Sequence, residues 1–313
     1  MKIVFLDSQT MGDVPNFSDF HKFGQFISYP LTSPQKRIEH IHDSNIVITC
    51  KVVIDKEIID ACPSIKLICV AATGTNNVDV NYAISKGIQV KNVVGYSTES
   101  VAQHTIGLIL SLVNRVSYYN KFVTSGEYSR SDMFTHYGSS FFELKGKTLG
   151  IIGLGNIGSR VAEILKVFGM NIVYYSTSGK NSNTQHPRIE LNKLLSISDI
   201  ISIHCPLNNR TKNLISRQNI ECFKPSAILI NVARGGIVNE MDIVNAINNK
   251  LIAGYATDVF ESEPISKDSS YKKLINYDNV IFTPHIAWTS LEARSNLIEK
   301  LIENIDYYIF ENQ

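Results

Sequence analysis

The sequence predicts an α/β protein of two domains, each built on a parallel sheet that is covered by helices. Short apolar runs alternate with polar or amphipathic segments along most of the chain, which is the pattern of parallel strands joined by crossover helices. The length of 313 residues suits two domains of about 100–200 residues each. A glycine motif near the middle of the chain indicates that the second sheet is doubly wound.

The composition is that of an ordinary globular protein. Hydrophobic residues make up 44% of the chain, which is enough for sizeable cores. The chain has 30 Lys and Arg residues and 29 Asp and Glu residues, so its net charge is only +1. Neither a nucleic acid nor an anionic membrane is therefore expected as a partner. We find no signal-peptide pattern at the start and no apolar stretch near the roughly 20 residues of a membrane span. The expected location is the cytoplasm.

Five cysteines are scattered through the chain without a CxxC pair: Cys50, Cys62, Cys69, Cys205 and Cys222. Four of them lie in or beside apolar runs, so buried and reduced thiols are expected. The sequence has no HExxH motif and no clustered Cys and His residues. No metal site is therefore predicted.

The first 97 residues predict one sheet and its covering helices. Five strands are predicted, at residues 3–7, 25–28, 46–50, 67–71 and 88–92. Polar or amphipathic segments between them, such as 33–42 and 55–62, predict helices.

Residues 98–122 predict one continuous helix, which Ser97 or Thr98 caps. Side chains three or four positions apart form its inner face: Val101, Thr105, Leu108, Leu112 and Val116. Its length of about 25 residues is enough to run from one domain to the other. The polar segment 124–140 then predicts irregular surface structure.

Residues 148–176 predict a strand, a glycine turn, a helix and a second strand. The turn carries Gly153-x-Gly155-x-x-Gly158. Gly153 permits the tight turn, Gly155 lets the backbone approach a pyrophosphate, and Gly158 lets helix and strand pack closely. The helix start then offers free N–H groups to phosphates. In this context the motif predicts a dinucleotide site, although by itself it also fits a structural glycine turn.

The second half of the chain predicts six strands, at residues 149–154, 172–175, 200–204, 227–231, 254–259 and 280–283. Such a series describes a doubly wound sheet. The tail at 290–310 is amphipathic, and we expect it to return to the N-terminal domain. The predicted domains are therefore 1–97 plus 287–313, which is discontinuous, and 98–286.

Three neighbouring strand ends carry side chains that suit acid/base chemistry. Arg234 follows the fourth strand, Glu263 the fifth and His285 the sixth. A guanidinium can grip a carboxylate, an imidazole can exchange a proton near neutral pH, and a carboxylate can orient the imidazole. Singly, each has an ordinary alternative: a surface ion pair for Arg234, solvation for Glu263 and a structural role for His285. Their joint placement beyond a dinucleotide motif favours an active site.

Together these segments clearly resemble the D-isomer-specific 2-hydroxyacid dehydrogenases over nearly the whole chain. The matching stretches are TGTNNVD at 73–79, the glycine motif at 153–158, NVARGG at 231–236, DVFESEP at 258–264 and PHIAW at 284–288. Residues 73–79, 95–105 and 285–288 look most like glycerate dehydrogenases, also called hydroxypyruvate reductases. The resemblance implies a Rossmann nucleotide-binding domain at 98–286 and a smaller, flavodoxin-like substrate domain.

The resemblance also implies the role of each site residue. Arg234 binds the substrate, His285 is the acid/base, and Glu263 pairs with His285. The N–H groups of Thr73 and Gly74 hold the substrate carboxylate. The implied cofactor residues are the three motif glycines and six further residues: Thr73, Asn156, Ile157, Cys205, Val232 and Asp258. Of these, Asp258 is implied to lie near the nicotinamide carboxamide.

The choice between NAD and NADP stays open. Ser176 stands where an NAD-specific unit carries Asp or Glu. Hydroxyls at 176–178 and Lys180 can bind a 2′-phosphate, but that segment has no arginine. A polar loop that accepts either cofactor is the alternative, and Ser176 is included among the cofactor-binding residues.

The sequence thus predicts a homodimeric NAD(P)-dependent enzyme that interconverts a small 2-oxo acid and the D-2-hydroxy acid. Hydroxypyruvate and glyoxylate are the expected substrates. The alternative is a non-catalytic dinucleotide sensor that binds partner proteins, as corepressor relatives do. A phosphorylated substrate is less favoured, because no additional basic cluster is placed to hold a phosphate. His104 and His204 are interpreted as structural or cofactor-wall residues.

Overall fold

The structure, a computed structural model, describes residues 1–14, 16–181, 183 and 185–312. The chain forms two compact units. The first combines Met1–Ser97 with Trp288–Gln313, and the second is Thr98–Ala287. Gln313, the last residue of the predicted substrate domain, lies outside the described residues.

The first unit contains a parallel sheet of five strands in the order β2-β1-β3-β4-β5. This order is that of flavodoxin, so the predicted flavodoxin-like fold is confirmed. Each predicted strand is found within two residues of its expected bounds. The strands are β1 (Lys2–Phe5), β2 (Gln25–Ser28), β3 (Ile46–Thr49), β4 (Leu67–Val70) and β5 (Gln89–Asn92). The α-helices between them are α1 (Arg37–Ile41), α2 (Lys56–Ala61) and α3 (Val80–Ser85).

Local sequence explains these elements. β3 and β4 are buried along their whole length, because a parallel sheet is covered on both faces and its strands are apolar throughout. Asp55 and Asp79 cap α2 and α3, where their side chains accept hydrogen bonds from the N–H groups of Ile58 and Tyr82.

The second unit contains a parallel sheet of six strands in the order β11-β10-β9-β8-β6-β7. All six predicted strands are again found within two residues. The strands are β6 (Thr148–Ile152), β7 (Asn171–Tyr175), β8 (Ile200–Ile203), β9 (Ile228–Asn231), β10 (Gly254–Thr257) and β11 (Val280–Phe282). The helices of this unit are α4 (Thr98–Val113), α5 (Val116–Thr124), α6 (Asn156–Val167), α7 (Leu191–Ile197) and α8 (Glu240–Asn248).

Among the described residues, one pair extends this sheet beyond β7. Tyr174 and Arg188 form a parallel bridge on the edge of β7 that faces away from β6. In the Rossmann order 3-2-1-4-5-6 the third strand occupies that edge. The doubly wound fold is therefore confirmed, with its third strand reduced to one bridge.

The prediction of one continuous helix over residues 98–122 is wrong. The N–H of Arg115 donates to the carbonyl of Leu112, which tightens the last turn of α4. Arg115 then takes a left-handed conformation with φ 54°, and such a residue ends a helix. A new helix, α5, starts at Val116, whose side chain is 51% exposed instead of lining the inner face.

The last helix, α9 (Leu291–Glu311), belongs to the first unit. Ser290 caps it by accepting a hydrogen bond from the N–H of Ala293. Leu297, Leu301 and Ile305 are fully buried and join the core cluster that covers one face of the five-stranded sheet. The amphipathic pattern of the tail thus supplies one of the layers that the sheet needs.

The predicted burial of four cysteines is confirmed. Cys50, Cys62, Cys69 and Cys205 are buried and free, whereas Cys222 is partly exposed. Throughout the described ranges, the helices are too short or too polar to cross a membrane.

Candidate active site

The candidate catalytic residues follow three strands that are neighbours in the six-stranded sheet. Arg234 follows β9, Glu263 follows β10, and His285 follows β11. Because these strands are parallel, their carboxyl ends meet at one edge, where open α/β sheets bind ligands. The spatial grouping expected from the sequence is therefore present.

His285 and Glu263 form a direct pair. His285 Nδ1 lies 2.6 Å from Glu263 Oε2, and the other carboxylate oxygen accepts a hydrogen bond from the N–H of Phe260 at 3.1 Å. A carboxylate only accepts, so Nδ1 carries the hydrogen in this pair and Nε2 is left for proton exchange. The side chains are 20% and 31% exposed, which keeps both accessible to a ligand.

Asp258 holds the turn that presents His285. Its Oδ1 accepts hydrogen bonds from the Ile286 N–H at 2.9 Å and the Thr283 hydroxyl at 2.6 Å, and its Oδ2 accepts one from the Ala287 N–H at 2.8 Å. The carboxylate is fully buried. His285 itself has φ 55°, a left-handed conformation that costs about 1–3 kcal/mol for a residue other than glycine. The buried carboxylate keeps that conformation in place.

The Arg234 turn is held by Asn231 and by glycine. The Asn231 side chain donates to the Arg234 carbonyl at 3.0 Å and accepts from the Ala233 N–H at 3.1 Å. A side chain at Gly235 would overlap the carbonyl oxygen of Phe260. The backbone at Gly235 therefore packs directly against Phe260, in the segment that leads to Glu263. This contact explains why glycine follows Arg234.

A cavity of about 710 Å³ lies beside the glycine motif. It is lined by residues from the motif, from the end of β7 and from the loop after β8: Gly153, Leu154, Gly155, Ser176, Thr177, Ser178, Asn181, His204, Cys205, Pro206, Asn208, Asn209 and Arg210. Of the predicted cofactor residues, Gly153, Gly155, Ser176 and Cys205 are therefore brought together here.

The glycine motif has the geometry that a pyrophosphate needs. A Cβ added at Gly155 would meet no atom of the described residues within 4 Å, so the backbone there faces open space. At Gly153, which has φ 94°, a Cβ would lie 2.8 Å from the Cys205 nitrogen, and at Gly158 one would lie 2.5 Å from the Gly153 carbonyl oxygen. Asn156, Ile157 and Gly158 form the first turn of α6, where helical N–H groups lack internal partners. The site fits a dinucleotide.

Two titratable residues of the cavity wall are neutral. Burial lowers the pKa of His204 to about 3 and raises the pKa of the Cys205 thiol to about 12. The His204 ring contacts the buried Ser202 hydroxyl at 2.8 Å. The interpretation of His204 as a cofactor-wall residue agrees with this position.

Other predicted site residues lie outside the cavity. Val232 and Asp258 follow β9 and β10, further along the same sheet edge. Thr73 and Gly74 belong to the first unit, in the loop after β4. In that loop the Thr73 hydroxyl donates to the Val93 carbonyl at 3.0 Å, and the Asn92 side chain donates to the Thr73 carbonyl at 2.6 Å.

Arg210, in the loop after β8, was not predicted from the sequence, although Cys205 of the same loop was. The sequence suggested Lys180 as the cation for a 2′-phosphate, but the charged residue among the described residues that line the cavity is Arg210. Arg210 lies more than 30 residues beyond Ser176 in the sequence, so inspection of the β7 end alone could not find it. The signal was the rule that ligands bind at strand ends, applied to β8.

Comparison with known proteins establishes the family. The model of the D-isomer-specific 2-hydroxyacid dehydrogenase NAD-binding domain matches residues 106–287. The chain belongs to the D-isomer-specific 2-hydroxyacid dehydrogenase family. The resemblance inferred from the motifs is thereby confirmed, and the chain is an NAD(P)-dependent oxidoreductase.

Relatives of this dehydrogenase match over nearly its whole length. A putative 2-hydroxyacid dehydrogenase of Haemophilus influenzae is 36% identical, over 99% of this chain and 98% of its own. A hydroxypyruvate reductase of Blautia hydrogenotrophica is 35% identical, over 99% and 97%. A glycerate dehydrogenase of Methylorubrum extorquens is 33% identical, over 98% of this chain and 96% of its own. A glyoxylate reductase of Thermococcus litoralis is 36% identical over a shorter match, 80% of this chain and 76% of its own.

Solved structures share the fold. A D-lactate dehydrogenase from Aquifex aeolicus, complexed with NAD and lactic acid, superposes with a TM-score of 0.85 at 27% identity and covers 99% of this chain and 96% of its own. An acyclic imino acid reductase in complex with NADPH and D-Arg has a TM-score of 0.85 at 28% identity, with 99% and 98% covered. Both forms of the nicotinamide cofactor thus occur on this fold.

Proposed function

We propose that this dehydrogenase reduces hydroxypyruvate or glyoxylate to the corresponding 2-hydroxy acid, and that Arg234, Glu263 and His285 are its catalytic residues. Relatives named hydroxypyruvate reductase, glycerate dehydrogenase and glyoxylate reductase support the substrate class. The observation that carries the proposal is the His285–Glu263 pair. It lies on the same sheet edge as the Arg234 turn and the dinucleotide cavity.

Each catalytic residue has a distinct task in this proposal. Arg234 binds the substrate carboxylate and carbonyl, since a guanidinium can form two parallel hydrogen bonds. His285 Nε2 donates its proton to the carbonyl oxygen during reduction and takes it back during oxidation. Glu263 orients the ring and stabilises its protonated form. The nicotinamide, when bound, supplies the hydride for the carbonyl carbon.

Thr73 and Gly74, in the loop after β4, are proposed to bind the substrate carboxylate, as the family pattern implies. Within the described part of the chain, the N–H groups of Thr73 and Gly74 donate to no backbone carbonyl. Adjacent N–H groups of this kind suit a carboxylate, because each supplies a hydrogen bond without adding a charge.

The cofactor contacts are proposed at three places. Gly153, Gly155 and the first turn of α6, with Asn156, Ile157 and Gly158, hold the pyrophosphate. Ser176 and Cys205 line the cavity at the ends of β7 and β8. Thr73, Val232 and Asp258 complete the set, on the strength of the family pattern.

We also propose that NADPH is preferred over NADH. The cavity presents the hydroxyls of Ser176, Thr177 and Ser178, and the guanidinium of Arg210. Among the described residues that line it, none is Asp or Glu, whereas an NAD-specific site places an acid there to bind the ribose hydroxyl. Hydroxyls and a cation suit the charge of a 2′-phosphate.

A homodimer is proposed through α5 and the segment after it. The segment is anchored on α5, where His136 stacks on Phe122 at 3.8 Å and contacts the Tyr118 hydroxyl at 2.9 Å. It nevertheless leaves large apolar side chains exposed: Phe134 at 91%, Tyr137 at 77% and Phe141 at 59%. A cluster of this kind is typical of an interaction surface. The homodimer and the cytoplasmic location remain predictions.

A panel of substrates tests the activity. Hydroxypyruvate, glyoxylate, pyruvate and 2-oxoglutarate are each mixed with NADH and with NADPH, and loss of nicotinamide absorbance is followed. The proposal expects fast oxidation with hydroxypyruvate or glyoxylate. Tight cofactor binding without turnover on any of the four acids would contradict it and would favour the alternative of a non-catalytic sensor.

A further inference from the structure

A second histidine, His104 on α4, is linked to the turn that presents His285. Its Nε2 lies 3.1 Å from the Thr283 hydroxyl oxygen and 3.7 Å from Asp258 Oδ1. The His104 side chain is 22% exposed and that of Asp258 is 1% exposed. The three groups form a chain that leads from α4 to the buried carboxylate under the turn.

The direction of the hydrogen bonds in this chain is determined. The Thr283 hydroxyl donates its hydrogen to Asp258 Oδ1 at 2.6 Å, because a carboxylate can only accept. The same hydroxyl oxygen must therefore accept from His104. Nε2 of His104 consequently carries a hydrogen, which makes His104 a donor at a fixed position.

α4 holds the same turn at a second point. Ser100 lies four residues before His104, so the two side chains share one face of the helix. Its hydroxyl donates to the Ala287 carbonyl at 2.7 Å. Asp258 meanwhile accepts from the Ile286 and Ala287 N–H groups. One face of α4 is thus tied to both ends of the segment 283–287.

We propose that His104 is a positioning residue for the reduction of the 2-oxo acid. By donating to Thr283 it directs the Thr283 hydroxyl at Asp258, and Asp258 then keeps His285 in its left-handed conformation. Loss of the donor lets the hydroxyl turn away and weakens the support of His285. A small displacement of a catalytic group lowers the rate strongly. The inference rests on the proposed role of His285.

Substitutions at His104 test the donor directly. His104→Leu removes it, whereas His104→Gln places an amide N–H near the position of Nε2. We expect kcat to fall about tenfold in His104→Leu, in line with the effect of a small misplacement, with the dissociation constant of NADPH unchanged. His104→Gln should recover most of that loss. Gln103→Leu, an exposed neighbour on α4, is the matched control and should leave kcat unchanged.

Substitutions at Thr283 test whether His104 affects kcat through the Thr283 hydroxyl. Thr283→Val should lower kcat as His104→Leu does, and Thr283→Ser should not. The double variant His104→Leu/Thr283→Val should be no slower than Thr283→Val alone, because both changes break one chain of hydrogen bonds. Additive losses would overturn the proposal, as would an unchanged kcat in His104→Leu or a loss that His104→Gln does not recover.

A spectroscopic measurement tests the protonation of the His104 ring in the wild-type protein without an activity assay. In protein labelled with ¹⁵N at histidine, the His104 ring, assigned through the signal missing in His104→Gln, should be protonated at Nε2. A ring with hydrogen on Nδ1 alone would overturn the proposal.

Activity assays of two variants distinguish failure of this inference from failure of the proposed function. If His285→Ala retains full turnover, the proposed function fails. If His285→Ala is inactive and His104→Leu has normal turnover, only the present inference fails.

Discussion

At the scale of single residues, the site depends on side chains that hold other groups in place. Glu263 directs the His285 ring, Asp258 holds the backbone beside it, and Asn231 holds the Arg234 turn. Each of the three accepts hydrogen bonds from neighbouring N–H groups, so little reorganisation is needed when charge develops on a substrate. The proposed chemistry therefore starts from a site that is already arranged.

The proposed preference for NADPH depends on Ser176 at this scale. Ser176→Asp places a negative charge in a cavity whose described lining has none, so a 2′-phosphate is repelled and a ribose hydroxyl gains an acceptor. We expect wild-type protein to bind 2′,5′-ADP more tightly than 5′-AMP by calorimetry, and Ser176→Asp to reverse that order. Ser196→Asp, on an exposed position of α7, controls for the added charge. An unchanged ratio in Ser176→Asp would mean that Ser176 does not contact the ribose.

At the scale of elements, the turn between β6 and α6 uses its glycines for different reasons. Gly155 faces open space, and Gly158 faces the Gly153 carbonyl oxygen. Gly155→Ala should therefore leave the thermal midpoint almost unchanged but weaken NADPH binding at least about tenfold, because the methyl group occupies the path of the pyrophosphate.

Gly158→Ala is the variant with which Gly155→Ala is compared. Its methyl group meets backbone at 2.5 Å, so α6 must shift, and the thermal midpoint should fall by several degrees. Thermal melts and NADPH titration of the two proteins provide the comparison. Equal losses of stability in both variants would contradict the distinction between an open and a packed glycine.

At this scale the sequence patterns predicted the strands but not the break between α4 and α5. Strands were predicted within two residues because continuous apolar runs mark strands that are covered on both faces. The break between α4 and α5 was not predicted, since Arg115 carries no glycine or proline signal and takes its left-handed conformation only in the tertiary structure. Apolar spacing continues across the break, so periodicity alone could not reveal it.

At the scale of the whole molecule, the site combines residues that are far apart in sequence. The grouping of Arg234, Glu263 and His285 at one sheet edge could be predicted, because each lies a few residues beyond the end of an apolar strand. Arg210 was not predicted, because it enters the cavity from an irregular loop several residues beyond the end of β8. The proposed support of His285 by His104 was not predicted from the sequence either, because it depends on how α4 packs beside the end of β11.

Acid should destabilise the protein through His204. Its folded pKa of about 3 lies below the ordinary value of 6.5, so the unfolded state binds a proton first and stability is lost as the pH falls from about 6.5 toward 3. Between pH 7 and pH 5 this amounts to at most about 2 kcal/mol. In urea unfolding, His204→Gln should lose correspondingly less free energy of unfolding over that interval. An equal loss in both proteins would exclude His204 as the cause.

Assembly is the other property of the whole molecule. Phe134→Asp places a charge in the exposed apolar cluster after α5 and should convert a dimer into a monomer in sedimentation experiments. Val167→Asp, at an 88% exposed position at the end of α6, controls for a new surface charge. A wild-type monomer, or a dimer that persists in Phe134→Asp, would contradict the proposed interface.

The central claim is that His285, paired with Glu263, exchanges the proton in reduction of a small 2-oxo acid. The most direct test is the rate of NADPH oxidation with hydroxypyruvate in wild-type protein, His285→Ala and Glu263→Gln, with Glu261→Gln as a control for a nearby exposed carboxylate. We predict turnover in the wild type, a loss of about 10²–10⁴-fold in His285→Ala, a smaller loss in Glu263→Gln and none in Glu261→Gln, with NADPH binding retained throughout. Full turnover in His285→Ala would contradict the account.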